Sequence, residues 1–125
     1  MELAQALKAL GLVGDMLALV TRTRALPTAA YSRPGDRSKA YDHYDSIQVA
    51  KVLIAPSAIL LVDDVITRGA TLLGIGARVL EAYSEIPVLG FAAMRAISSP
   101  AEFVSLVDPR RGQVALRGEQ TLRIP

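Results

Sequence analysis

The sequence predicts a single α/β domain, residues 1–125, built on a parallel sheet. Three observations carry that expectation. The apolar fraction is 51% while aromatics make up only 5%, so the core is aliphatic, the composition of parallel strands buried on both faces. Apolar runs and one helically spaced segment follow each other as strand, long loop, strand, helix, strand, the order of a βαβ unit with parallel pairing. A chain of 125 residues is also long enough to bury a core without disulfide or metal staples, and it has no cysteine to form them.

The elements follow in order. Leu3, Ala6, Leu7 and Leu10 recur at helical spacing with Gly11 placed to cap the C-terminus, so Glu2 to Leu10 reads as a helix. Met16 to Thr21, MLALVT, reads as a buried strand. Arg22 to Ser46 changes character, with two prolines, one glycine and four arginines. A polar connection of that length inside a compact domain is expected to be functional or mobile. Ile47 to Ile54 is apolar but of undecided type. Ala58 to Val62 is a second buried strand. Thr71 to Tyr83 is a helix with Leu72, Ile75, Val79 and Ala82 inward and Arg78 and Glu81 outward. Pro87 to Met94 gives a third strand and Phe103 to Val107 a fourth. The tail reads as a β-hairpin turning at Gly118-Glu119, a two-residue turn that wants glycine first.

Charge excludes little. The net charge of +2 is too small to argue for nucleic acid. The N-terminal apolar stretch is broken by Glu2, Lys8 and Asp15 and lacks a basic n-region, so neither a signal peptide nor a membrane span is expected. With no cysteine, a cytoplasmic setting is the expectation.

The chemistry concentrates in ILLVDDVITRGAT, residues 59–71. An apolar strand runs into Asp63 and Asp64 and so delivers two carboxylates to the crevice outside strand ends, where ligands of such sheets bind. Two adjacent acids can accept hydrogen bonds from neighbouring hydroxyls, as on a ribose, or help hold Mg2+. The turn Thr67, Arg68, Gly69, Ala70, Thr71 then opens a helix, whose N–H groups and dipole suit a phosphate. Thr67 and Thr71 add hydroxyl donors, and Gly69 permits positive φ or close approach. Carboxylates for a diol beside a phosphate cradle describe a sugar-phosphate site.

The run resembles the phosphoribosyl diphosphate motif of type I phosphoribosyltransferases: apolar residues, two acids, two apolar residues, then Thr-x-Gly-x-Thr. The resemblance implies that family's parallel-sheet fold, with a long mobile loop and here a C-terminal hairpin as its hood. It implies that Asp63 and Asp64 hold the ribose hydroxyls and that Thr67, Arg68, Gly69, Ala70 and Thr71 hold the 5-phosphate, with Mg2+ as cofactor. The flanking LALVTRTRALPTAA, RSKAYDHYDSIQV and VDPRRGQVALRG resemble the mobile loop and tail of the ComF-like and amidophosphoribosyltransferase-like bacterial branch. Arg37 and Lys39 are then the candidates to close over the pyrophosphate in catalysis, and a homodimer is expected. Thr67 stands where some 6-oxopurine enzymes carry a base-contacting Asp, so specificity for those bases is not implied. Only a helix precedes MLALVT, so the family's first strand and pyrophosphate loop are not expected within this chain.

Competing readings are plainer. A response-regulator receiver also carries an ILLVDD-like strand, but there it opens the domain, and the spacing here places no later phosphoacceptor Asp and Lys. The single His43 sits in a polar stretch and reads as a surface residue before a catalytic one. Arg110 and Arg111 read as surface charge. Beside a phosphoribosyltransferase acting on a nitrogen nucleophile stand two alternatives: a protein that binds or senses a phosphoribosyl ligand without turnover, and a DNA-uptake accessory, the latter by family analogy alone.

Overall fold

The structure, a computed structural model, describes residues 2–27, 38–97, 101, 105 and 109–124. It is mixed α/β, with nine helices and strands among those residues: α1 (Glu2–Ala9), β1 (Val20–Arg22), α2 (Ala40–Asp45), β2 (Ile47–Val49), β3 (Ile59–Ile66), α3 (Ala70–Ala82), β4 (Val88–Arg95), β5 (Gln113–Arg117) and β6 (Gln120–Ile124). The strand expected at 103–107 falls largely outside the described residues.

Helix α1 ends as its sequence dictates. Gly11 adopts φ +68°, and the Gly11 and Leu12 amides donate to the carbonyls of Lys8 and Leu7 at 2.9 and 3.0 Å. These paired bonds are the Schellman closure that a left-handed residue allows.

Strands β3 and β4 pair in parallel, from Ile59 opposite Val88 to Ile66 opposite Arg95, with α3 as the crossover. This is the expected βαβ unit. The other strands depart from one continuous parallel sheet. β1 and β2 form a separate antiparallel pair, Val20 opposite Val49, and β5 and β6 form another, Gln113 opposite Ile124. The first strand is also shorter than MLALVT suggested. Of that run only Leu19 is buried, only Val20 and Thr21 are paired with β2, and the pairing closes where the Leu19 carbonyl accepts from the Ala50 amide at 2.9 Å.

Parity along β3 sets its two faces. Ile59 and Leu61 point toward α3, where Ile59, Val79 and Tyr83 form the core with Leu19, and Leu61, Ile75, Ile86 and Val88 pack around it. Val79 is fully buried, a placement that stabilises by about 1.5–3 kcal/mol. Tyr83 fastens the end of α3 to the chain leaving β2: its hydroxyl donates to the Ala50 carbonyl at 2.9 Å and accepts from the Val52 amide at 3.0 Å.

Helix α2 lies inside the connection that the sequence marked only as long and polar. Its start is capped by Asp42, whose carboxylate accepts from the Lys39 amide at 2.7 Å. Its stability comes from α3, against which it packs at Gly74. A Cβ on Gly74 would overlap the Ala40 carbonyl oxygen and come within 2.8 Å of the His43 Cβ. Both obstacles are backbone or close to it and cannot rotate away. Arg78, Tyr44 and Glu81 close the same contact at the surface: Arg78 donates to the Tyr44 hydroxyl at 3.2 Å and to Glu81 at 2.7 Å, and the Tyr44 hydroxyl donates to Glu81. Gly74→Ala is expected to cost about 1–3 kcal/mol by forcing the helices apart, although alanine normally favours a helix interior over glycine. Urea unfolding of the two proteins measures it.

Candidate functional site

The two aspartates sit within β3 and not at its end, because pairing with β4 continues to Ile66 opposite Arg95. Alternation therefore separates them. Asp63 shares the face of Ile59 and Leu61 and turns toward α3, half-buried. Asp64 turns to the opposite face and is exposed. The Asp64 amide donates to the Asp63 carboxylate at 3.0 Å, and the Val65 amide donates to the Asp64 carboxylate at 2.8 Å. Each acid thus keeps an oxygen free of these backbone bonds.

Burial pushes the Asp63 carboxyl above its ordinary value; the Asp64 amide opposes this, and the neighbouring Asp64 carboxylate adds to it. No cation pairs with Asp63 among the described residues. A half-buried carboxylate without a cation costs the fold stability, and such perturbed groups concentrate at ligand sites.

Beyond β3 the turn passes directly into α3. Thr67 and Arg68 are exposed, Gly69 is buried, and Ala70 and Thr71 are half-buried. Gly69 holds φ +87°, a left-handed conformation that side-chain-bearing residues adopt at a cost. Its carbonyl accepts the first helical bond, from the Leu73 amide at 2.9 Å. Among the described residues the amides of Ala70, Thr71 and Leu72, which open the helix, have no such partners, the arrangement that receives anions.

The C-terminal hairpin closes over this turn. Its own turn is as expected, with Gly118 at φ +62° and no other residue of the pair at positive φ. Val114 of β5 presses on Gly69: an added Cβ there would lie 2.6 and 2.7 Å from its two methyl groups. At the hairpin tip Glu119 accepts from the Lys39 ammonium at 2.6 Å. That pairing raises the Lys39 pKa and lowers that of Glu119. Lys39 also lies 5.8 Å from the Tyr41 ring centre.

The structure thus joins the 67–71 turn to the hairpin through Val114 and the hairpin to Lys39 through Glu119, sets Asp63 in β3 ahead of that turn on the α3 side, and places Asp64 across the strand. Arg37 lies outside the described residues. Arg110 and Arg111 are exposed. His43 is not a simple surface residue: it packs between α2 and α3, its Nδ1 buried without a hydrogen-bond partner among the described residues. Burial, and then Arg22, hold its imidazole below the ordinary value, with Asp42 opposing. Sequence reasoning missed Val114 and Glu119 as site residues. Nothing in a generic hairpin pattern tells which distant turn it will cover.

Among the described residues no cluster of three or more acidic or histidine side chains could hold a metal alone. Mg2+ characteristically takes one or two carboxylates and completes its shell with water and substrate phosphates. Asp63 and Asp64 are hard oxygen donors but lie on opposite faces of β3, so the two do not converge on one ion.

The fold and site together define a mixed α/β protein whose parallel βαβ unit sets two carboxylates before a helix N-terminus. Comparison with protein-family models, with curated proteins and with solved structures finds no match to this chain. No helix among the described residues is long and apolar enough to cross a membrane.

Proposed function

We propose that the chain binds 5-phosphoribosyl 1-diphosphate with Mg2+ and transfers the phosphoribosyl group to a nitrogen nucleophile. One observation carries the reading: Asp63, half-buried and without a cation partner among the described residues, stands on the α3 side of β3 just before the Thr67–Thr71 turn. A carboxylate so placed can accept from a ribose hydroxyl while the amides of Ala70 and Thr71 receive the 5-phosphate. Asp64 serves the ligand from the other side of the strand. The fold proposed with this function is the parallel-sheet type I phosphoribosyltransferase fold, with β3–α3–β4 as its central unit and β5–β6 as hood. The cysteine-free sequence supports a cytoplasmic setting.

In the transfer, the bond from the anomeric carbon to the diphosphate oxygen breaks and a bond to nitrogen forms. Pyrophosphate leaves with the electron pair, and the nucleophile gives up its proton to the departing pyrophosphate or to water. Bound Mg2+ would neutralise charge on that leaving group. The protein's own share is positioning and charge: Asp63 orients the sugar and favours the positive charge that builds on its ring.

Lys39, already engaged by Glu119, favours a second reading in which the ligand is held but not transferred. Calorimetry with the diphosphate and Mg2+, followed by pyrophosphate release with a panel of purine, pyrimidine and amine acceptors, separates the two. Binding with release establishes transfer. Binding without release on any acceptor establishes the ligand-holding protein. No binding by the wild type contradicts both.

A further inference from the structure

We infer that the β5–β6 hairpin is a strap that holds the site closed, and that Glu119 competes with the ligand's diphosphate for Lys39. The inference rests on the phosphoribosyl reading and adds a regulatory contact to it. The hairpin touches the rest of this site at two places. Val114 seats on Gly69, in the turn assigned to the 5-phosphate. About five residues further, roughly 15 Å along an extended strand, Glu119 holds Lys39, assigned to the diphosphate. One rigid element therefore spans the positions that receive the two phosphate ends of the ligand.

The carboxylate is suited to the part. Gly118 in the left-handed region makes the turn tight, so Glu119 is presented at a fixed tip. Its bond to the Lys39 ammonium, 2.6 Å long, joins residues 80 apart in sequence. Both side chains remain in contact with solvent, 41% and 78% exposed, so an anion can reach Lys39 and exchange for Glu119 without unfolding anything. Lys39 itself stays in place through the exchange, because its amide is capped by Asp42 and α2 is packed on α3 at Gly74. A ligand phosphate bears more charge than a carboxylate and outcompetes it.

The contest is between an exposed ion pair and a ligand, so the expected effect is modest. Solvent screens an exposed pair of this kind, so the exchange changes affinity by at most about fivefold. Calorimetric titration with 5-phosphoribosyl 1-diphosphate and Mg2+ at low and high salt, on wild type, Glu119→Gln, Lys39→Gln and the double variant, tests it. Glu119→Gln is expected to bind about two- to fivefold more tightly than wild type. That gain should shrink at high salt and vanish in the Lys39→Gln background. Equal affinity of wild type and Glu119→Gln would overturn the strap while leaving the phosphoribosyl reading intact. A gain that persists without Lys39 also overturns it, since Glu119 would then act by general repulsion. Binding by neither protein removes the phosphoribosyl reading and the strap together. Binding by Glu119→Gln alone supports both.

Discussion

Asparagine in place of Asp63 should weaken binding of the phosphoribosyl diphosphate roughly ten- to hundredfold, the value of a hydrogen bond to a charged acceptor, and leave the fold at least as stable as wild type. The two halves of this result have one cause. Burial has lifted the Asp63 pKa, so the folded chain resists the charge that the site requires. A group whose folded pKa is raised contributes stability fully below its ordinary value, and that contribution is lost as pH rises through the raised value. Wild type should therefore lose ground to Asp63→Asn between about pH 4 and neutrality. Thermal melts across that range, beside calorimetry at pH 7, measure both effects. An acid with no ligand role would show the stability effect, which follows from burial, but would leave binding unchanged. Asp64→Asn should weaken binding less, because Asp64 faces away from the α3 side and is already exposed.

The second large effect is expected at Gly69. Alanine there must hold φ near +87° and displace Val114, whose methyl groups stand 2.6 and 2.7 Å from the new Cβ position. The left-handed backbone and the overpacking together cost roughly 2–4 kcal/mol. Valine is short and anchored in β5, so the relief is a shift of the hairpin itself. Gly69→Ala should therefore combine a lower melting temperature with faster amide exchange in β5 and β6, and with loss of the Lys39–Glu119 pair. Val114→Ala in the same background should restore part of the stability, because it removes the obstructing methyl groups. A melt unchanged from wild type would show that Val114 does not press on the turn.

These effects also show how far the sequence could be read. The βαβ unit was legible because its signals are local: a continuous apolar run, a helix with apolar residues at its own period, and a second apolar run. Gly118-Glu119 marked the hairpin turn for the same reason, since the turn's backbone needs a glycine at its first position. The antiparallel β1–β2 pair was not legible. Each strand has three residues, too few for a pattern, and their partnership depends on residues more than twenty positions apart.

Helix α2 was hidden twice over. AYDHYD has no apolar stripe, and the feature that stabilises it, Gly74, lies in another helix, where a glycine reads as a weakness. The adjacent acids were visible as a motif, but their division between two faces follows from β3 extending to Ile66. The apolar run alone suggested that the strand stops at Val62. The pressure of Val114 on Gly69 and the grip of Glu119 on Lys39 are tertiary events that no local pattern encodes.

The central claim is that Asp63 and the 67–71 turn hold a ribose 5-phosphate. The most direct measurement is amide chemical-shift mapping of the isotopically labelled protein during titration with ribose 5-phosphate and, separately, 5-phosphoribosyl 1-diphosphate with Mg2+. Saturable shifts centred on Asp63, Asp64, Gly69, Ala70 and Thr71 with both ligands, joined by Lys39 and Glu119 with the diphosphate alone, are the expected result. Shifts centred elsewhere, or none with either ligand, would contradict it.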